Sequence, residues 1–159
     1  MDPAGRWLHE RLGCTLADAG LLLRALTHRS YGPDNNERLE YLGDAVLSFV
    51  VAEMLFRNFP AASEGELSRY RASLVSGEAL AALAAEIGLG DQLRLGDGEL
   101  KSGGQRRATI LADGLEAVFG AIYLDRGLAT ARAVAARLFD QPLAALPEAA
   151  ELKDPKTRL

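Results

Sequence analysis

One stretch, Asn35-Asn36-Glu37-Arg38-Leu39-Glu40-Tyr41-Leu42-Gly43-Asp44-Ala45-Val46-Leu47, restricts the fold more than any other, because it sets acids and a core stripe on the same helix. At about 100° per residue, Glu37, Glu40 and Asp44 fall within an arc of roughly 60°, while Leu39, Leu42, Val46 and Val50 lie on the opposite side. A second segment, from Ile110 to Gly120, places Asp113 and Glu116 at the same i, i+3 spacing in front of Leu111, Leu115, Val118 and Ile122. If the two helices pack on each other, up to five acids converge. Ala and Leu dominate elsewhere and aromatic residues make up 6%, so propensity predicts an all-α protein. With 159 residues, 48% of them hydrophobic, one domain with a real core is expected.

In chain order, a first helix runs from Pro3 to Leu12 with Trp7, Leu8 and Leu12 inward, ended by Gly13. Asp18 can cap a second helix over 21–27 that supplies Leu22, Leu23 and Leu26 to the core. The polar turn Thr27-His28-Arg29-Ser30 leads to the acidic helix, which Asn35 or Asn36 can cap and which ends at Asn58 or Phe59 before Pro60. Its second half, including Phe49 and Phe56, is apolar nearly all round, so neighbours on several sides are expected and it reads as the centre of the fold. Ser63 and Glu66 fit a capping box, and Ser76 can open a helix ending near Gly88. Residues 89–105, rich in glycine, read as a surface loop. The second acidic helix should end near Leu124 or Asp125, with a last helix over 130–139.

Several functional classes fall away. The single Cys14 cannot form an intrachain disulfide or a zinc cluster and fits a reducing cytoplasm; it reads as a small buried side chain. No run reaches the roughly 18 apolar residues of a membrane span, so no membrane partner is expected. The glycines at 96–104 lack the ending and strand-helix setting of a phosphate loop, which argues against a nucleotide cofactor. A net charge of −4 argues, taken alone, against a nucleic acid. A carboxylate-bridged redox bundle needs Glu-x-x-His pairs, and neither His9 nor His28 has Glu three residues before it.

Grouped carboxylates repel, so either their pKa values rise or a cation neutralises them. A hard divalent ion with oxygen ligands is the natural partner; magnesium suits best, because it leaves positions for waters and substrate phosphate oxygens. A solitary acidic pair at helical spacing is usually an ordinary solvated face, but two sets, each in a strongly apolar helix, make that reading much weaker.

The segment Asn36-Glu37-Arg38-Leu39-Glu40-Tyr41-Leu42-Gly43-Asp44-Ala45-Val46-Leu47 resembles the signature of the ribonuclease III family. Leu26-Thr27-His28-Arg29-Ser30, Glu64-Gly65-Glu66-Leu67-Ser68-Arg69, Leu100-Lys101-Ser102-Gly103-Gly104 and Ile110-Leu111-Ala112-Asp113-Gly114-Leu115-Glu116-Ala117 resemble bacterial members in the same order. The resemblance implies a helical endonuclease domain forming a two-fold dimer. It implies magnesium-dependent hydrolysis of double-stranded RNA, manganese being a plausible substitute, leaving 5′-phosphate and 3′-hydroxyl ends with short 3′ overhangs. Processing of ribosomal RNA precursors and other structured transcripts in the cytoplasm would be its setting.

On matching positions, Glu40, Asp44, Asp113 and Glu116 would be metal-site acids, with Asp44 and Glu116 most tied to catalysis and Glu37 and Glu64 as supporting acids. Tyr41 would sit at the dimer interface. Arg69, Arg71, Lys101, Arg106 and Arg107 are candidate RNA contacts, each with a solvated face as the plain alternative. His28 reads as a satisfied turn histidine. The domain is expected over 1–147. Residues 148–159, with Lys153-Asp154-Pro155-Lys156-Thr157-Arg158, are expected to begin a linker to a double-stranded RNA-binding domain, whose basic surface would answer the objection from charge. The rival readings are a catalytically silent RNA-binding module on the same fold and a naturally domainless small ribonuclease III.

Overall fold

Apolar stripes pair off helix against helix in the computed structural model, which describes residues 1–147; the expected linker start at 148–159 lies outside the described residues. The helices are α1 (Pro3–Leu12), α2 (Ala19–Ala25), α3 (Glu37–Asn58), α4 (Glu64–Leu74), α5 (Gly77–Glu86), α6 (Asp97–Lys101), α7 (Ala108–Arg126), α8 (Leu128–Leu138) and α9 (Asp140–Ala144). No strand forms among the described residues beyond an isolated parallel bridge of Thr27 with Arg94, so the all-α expectation holds.

N-cap side chains set the starts of α1, α2, α4 and α5. Asp2 accepts the Gly5 N–H at 2.7 Å, and Asp18 accepts that of Leu21 at 3.1 Å. The Asp18 cap starts α2 at Ala19, two residues before the expected start. Ser63 and Glu66 close the capping box in both directions, and Ser76 caps α5. At the acidic helix the two asparagines divide the work. Asn35 Oδ1 accepts the Glu37 N–H at 3.1 Å, whereas the buried Asn36 side chain turns inward and donates to the Ala25 carbonyl at 3.1 Å. The Asn36 N–H also donates to the Thr27 carbonyl at 2.9 Å, so the start of α3 is tied to the end of α2.

The central helix is α7, a correction to the sequence reading. Twelve of its 19 residues are buried, against eight of 22 in α3. It packs chiefly on α3 and α5, with α2 and α8 alongside. On α3, Tyr41, Phe49 and Phe56 remain exposed at 80%, 53% and 71%, so its apolar second half is not enclosed by its own chain. With Ala45 and Ala52 they form a stripe about 80° wide, between the acid face and the core face. Leu23, expected inside, is 39% exposed because α2 is a short surface helix that buries Leu22 and Ala25.

Residues 89–105 are not a plain surface loop either. They wind through a 3₁₀ turn at Leu89–Gln92, through α6, and into a second 3₁₀ turn at Gly104–Arg106, and they bury Leu89, Leu93 and Leu95 in the core. The helix expected over 130–139 is α8, which begins after Gly127, whose φ of 87° with an extended ψ is a conformation open to glycine alone, and the chain continues past Phe139 into α9.

The α3–α7 contact depends on two missing side chains. A Cβ on Gly43 would run into the backbone carbonyl of Glu116, and one on Gly120 would run into that of Leu39. Here helix backbones meet with nothing between them, and this fixes Glu116 opposite the acidic face of α3. Gly43→Ala is expected to cost about 3 kcal/mol or more in urea unfolding, since the obstruction is rigid backbone. Gly77→Ala, at a helix start with nothing within 4 Å of the added methyl, should be neutral or mildly stabilising.

Candidate functional site

The close approach of α3 and α7 brings Glu40 on one helix to Asp113 and Glu116 on the other. One carboxylate oxygen from each lies within 4.8 Å of the other two. Asp44, one turn beyond Glu40, shares a hydrogen bond with the Glu116 carboxyl. Glu116 is buried at 8% exposure. Burial first, then its hydrogen bond with Asp44 and the charges of Asp44, Glu40 and Asp113, push its pKa up to about 9.

The other two acids of the triad shift the same way. Glu40 is raised by burial and then by the charges of Asp113, Asp44 and Glu37. Asp113 keeps an exposed edge, yet desolvation still raises it against the pull of His28 and Arg29. Four acids therefore sit together with less positive charge nearby than they need. An all-oxygen donor set at this spacing suits a hard divalent cation, and the cluster can bind one.

Beside the acids opens a cleft of about 450 Å³, lined by His28, Arg29, Asn36, Glu37, Glu40, Glu99, Arg107, Thr109, Ile110 and Asp113. Its lining brings the acids together with two guanidinium groups, those of Arg29 and Arg107. Glu37 lies at the cleft but turns toward Arg29, 3.9 Å away. Arg107 is paired with Glu99 at 2.5 Å and reaches the Ser102 carbonyl and hydroxyl. The His28 ring takes the Ser30 N–H at Nδ1, 3.1 Å away, with the Ser30 hydroxyl at 2.8 Å, a satisfied turn histidine as expected.

Other candidates lie apart from this group. Glu64 is the exposed first residue of α4, and it is neither in the acid group nor among the residues lining the cleft. Arg69 and Arg71 are exposed on α4, Arg71 beside a small hollow it shares with Phe49 and Phe56. Lys101 and Arg106 are exposed near the strap of residues 89–107, and among the five basic candidates only Arg107 lines the acid cleft. Cys14 is buried, which raises its thiol pKa.

Sequence reasoning passes over Arg29, Glu99 and Thr109 as site residues. Glu99 adjoins the recognised segment Leu100-Lys101-Ser102-Gly103-Gly104, the one signal that points to it; nothing in spacing alone points to Thr109.

Comparison with known proteins agrees with this geometry. Residues 18–142 match the Ribonuclease-III-like family model. Ribonuclease 3 of Thiobacillus denitrificans is 57% identical over 152 residues, covering 96% of this chain and 67% of that protein. Ribonuclease 3 of Vibrio cholerae is 53% identical over 159 residues, covering 100% of this chain and 71% of that one. The chain thus spans about two thirds of the length of the curated relatives it matches. Among solved structures, the nuclease domain of ribonuclease III from Campylobacter jejuni superposes with a TM-score of 0.85 at 41% identity, covering 92% of this chain and 99% of that one. A second structure of that domain, described for flexibility in a region involved in dimer formation, gives a TM-score of 0.82 at 43% identity, covering 85% and 95%.

The raised acids make the metal-free protein pH-sensitive. Between the ordinary carboxyl value of 4.5 and the folded value of about 9, the folded state holds a proton on Glu116 that the unfolded state has released. Stability is therefore full below that window and falls as pH rises through it. In chelator at pH 8, Glu116→Gln should melt about 5 °C higher than the parent chain, and its melting temperature should depend less on pH. Adding magnesium should raise the parent's melting temperature more than the variant's. Scanning calorimetry across pH 5 to 9 checks both.

Proposed function

The chain belongs to the ribonuclease-III-like family, and from that premise we propose that it is the endonuclease domain of an enzyme hydrolysing double-stranded RNA. The observation that carries the reading is the convergence of Glu40, Asp113 and Glu116, with Asp44 bonded to Glu116, beside a cleft that also presents Arg29 and Arg107. Magnesium is the proposed ion and manganese a workable substitute; bound among these oxygens it would supply Lewis-acid stabilisation of charge on the phosphoryl oxygens and would acidify a water.

The chain's own groups have separable tasks. Glu40, Asp113 and Glu116 hold the cation, and Asp44 completes the set by its bond to Glu116. Asp44 and Glu116 are the catalytic acids in this reading, and the proton that Glu116 holds must leave before it can act as an oxygen donor. Arg107, held by Glu99, and Arg29, beside Glu37, offer guanidinium groups that orient the RNA phosphate against the acids. Glu37 and Glu64 act as supporting acids. Arg69, Arg71, Lys101 and Arg106 add long-range attraction for the RNA backbone. The products carry 5′-phosphate and 3′-hydroxyl ends with short 3′ overhangs. The biological substrates are ribosomal RNA precursors and other structured transcripts in the cytoplasm. No helix among the described residues is long and apolar enough to cross a membrane.

The working unit is a two-fold dimer closed by the α3 stripe. Tyr41, Phe49 and Phe56 form an apolar surface of the kind a protein partner covers, and a second copy of the same stripe is self-complementary across a dyad. The domain spans residues 1–147, and 148–159 lead toward a double-stranded RNA-binding domain.

Two experiments test this. Perfectly paired RNA at low salt should be cut in magnesium and left intact in chelator, and Glu116→Gln should lower kcat by about 10³-fold while still binding RNA; RNA bound but uncut by the parent chain in every divalent metal would favour the silent module. Phe56→Asp should turn the dimer into a monomer in sedimentation equilibrium and abolish paired cuts.

A further inference from the structure

Arg94 is fixed more firmly than fastening the chain requires. Residues 93–96 strap across the turn that carries His28 and Arg29, and main-chain bonds already hold that strap: Arg94 N–H to the Leu26 carbonyl at 2.7 Å, and His28 N–H to the Arg94 carbonyl at 2.9 Å. The Gly96 N–H adds a bond to the Ser30 hydroxyl at 2.9 Å. The Arg94 side chain is nevertheless pinned a second time. Its Nε donates to the Thr27 hydroxyl at 2.9 Å, and its guanidinium carbon lies 4.7 Å from the centroid of the Tyr31 ring. Thr27 is itself buried at 1% exposure and donates its own hydroxyl proton to the Leu23 carbonyl, so it can only accept from Arg94. Tyr31 is 53% exposed, stacked by nothing else described.

This arrangement orients a cation without neutralising it. No described ion pair engages Arg94, and the four N–H groups on its two terminal nitrogens have no described protein acceptor. A guanidinium held edge-on by a hydroxyl, with an aromatic ring against one face, keeps its planar fork available for a phosphate's two oxygens and has less rotamer entropy left to lose. Neighbouring acids would have been the ordinary partners, yet Asp34 pairs with Arg24, Glu37 faces Arg29 and Glu99 holds Arg107, and Asp91 and Asp97 on the same strap make no described ion pair with Arg94.

We propose that Arg94, braced by Tyr31 and Thr27, is an RNA-positioning residue that grips a backbone phosphate flanking the one presented to the acids. The assignment rests on the double-stranded RNA reading. Arg94 does not itself line the acid cleft, but its backbone is hydrogen-bonded to the turn that carries His28 and Arg29, both of which do, so the grip adjoins that cleft instead of lying on a remote face. A duplex keeps its bases stacked and paired, so what meets the surface here is phosphate, and the ring serves as the brace, not as a base platform.

The test compares the parent chain with Arg94→Gln, Arg94→Lys and Tyr31→Leu on paired RNA in magnesium at several salt concentrations. For Arg94→Gln, KM should rise about fivefold with kcat within twofold, and the slope of log affinity against log salt should shrink by about 1, the share of a single phosphate. Arg94→Lys should keep the salt slope, because the charge stays, and recover part of KM. Tyr31→Leu, a change at an exposed ring, should raise KM by a smaller factor with an unchanged melting temperature. A lowered melting temperature in Arg94→Gln with parental KM and salt slope would make the side chain a mere fastening and overturn the proposal. Parental values for all three variants, in a chain that cuts RNA, would overturn it and leave the RNA reading standing. A parent chain that neither cuts nor binds RNA would overturn both.

Discussion

Direct contact of the α3 and α7 backbones at Gly43 and Gly120 is the constraint from which the site follows. Each glycine gives up about 1 kcal/mol of helix propensity. In return the two helices meet without intervening side chains, and residues one turn either side of the crossing are forced into company. Those residues are Glu40 and Asp44 on α3 and Asp113 and Glu116 on α7. Like charges would separate if either helix could slide. The apolar residues of α7 packed against α3 and α5 prevent that, so the core works against the repulsion of the acids.

The pattern of charge around the cleft follows the same logic. Four of the described acids meet a guanidinium: Glu53 with Arg132 and Arg57, Asp34 with Arg24, Glu37 with Arg29 and Glu99 with Arg107. None of the acids at the crossing is in a described ion pair. Glu116 is buried among carboxyls and retains a proton, while the cleft's guanidinium groups are paired with Glu37 and Glu99. An ordinary helical domain has no reason to tolerate such a concentration of acid; a phosphate-handling site that recruits a cation does.

Much of this is legible in the residues. Helical period alone places Glu40 with Asp44 and Asp113 with Glu116, and the i, i+3 apolar positions behind them predict which faces meet. Capping residues locate α1, α4 and α5 closely. What the sequence hides has physical causes. Hydrophobicity does not say whether a side chain is covered by its own chain or by something else, so Phe49 and Phe56 read as core and stand exposed. Glycines at 90, 96 and 104 read as loop punctuation, yet a Cβ on any of them would strike Gln105, Ser30 or Glu99, so they mark close packing of the strap. The centrality of α7 is obscured because Asp113 and Glu116 make it look half polar, when Glu116 is in fact interior. Arg29 and Glu99 escape notice because their roles come from a meeting of distant segments that no local spacing encodes.

Glu116 is two things at once: its backbone carbonyl is the atom that seats against Gly43, and its side chain is the acid of the site whose charged form is most disfavoured. The first role belongs to any amino acid with a helical backbone; only the second belongs to glutamate. Lineages that drop the carboxylate would keep the helix crossing and relieve the repulsion, so the drift from nuclease to inert scaffold runs thermodynamically downhill. Keeping all four acids costs the metal-free fold stability that a bound cation would return.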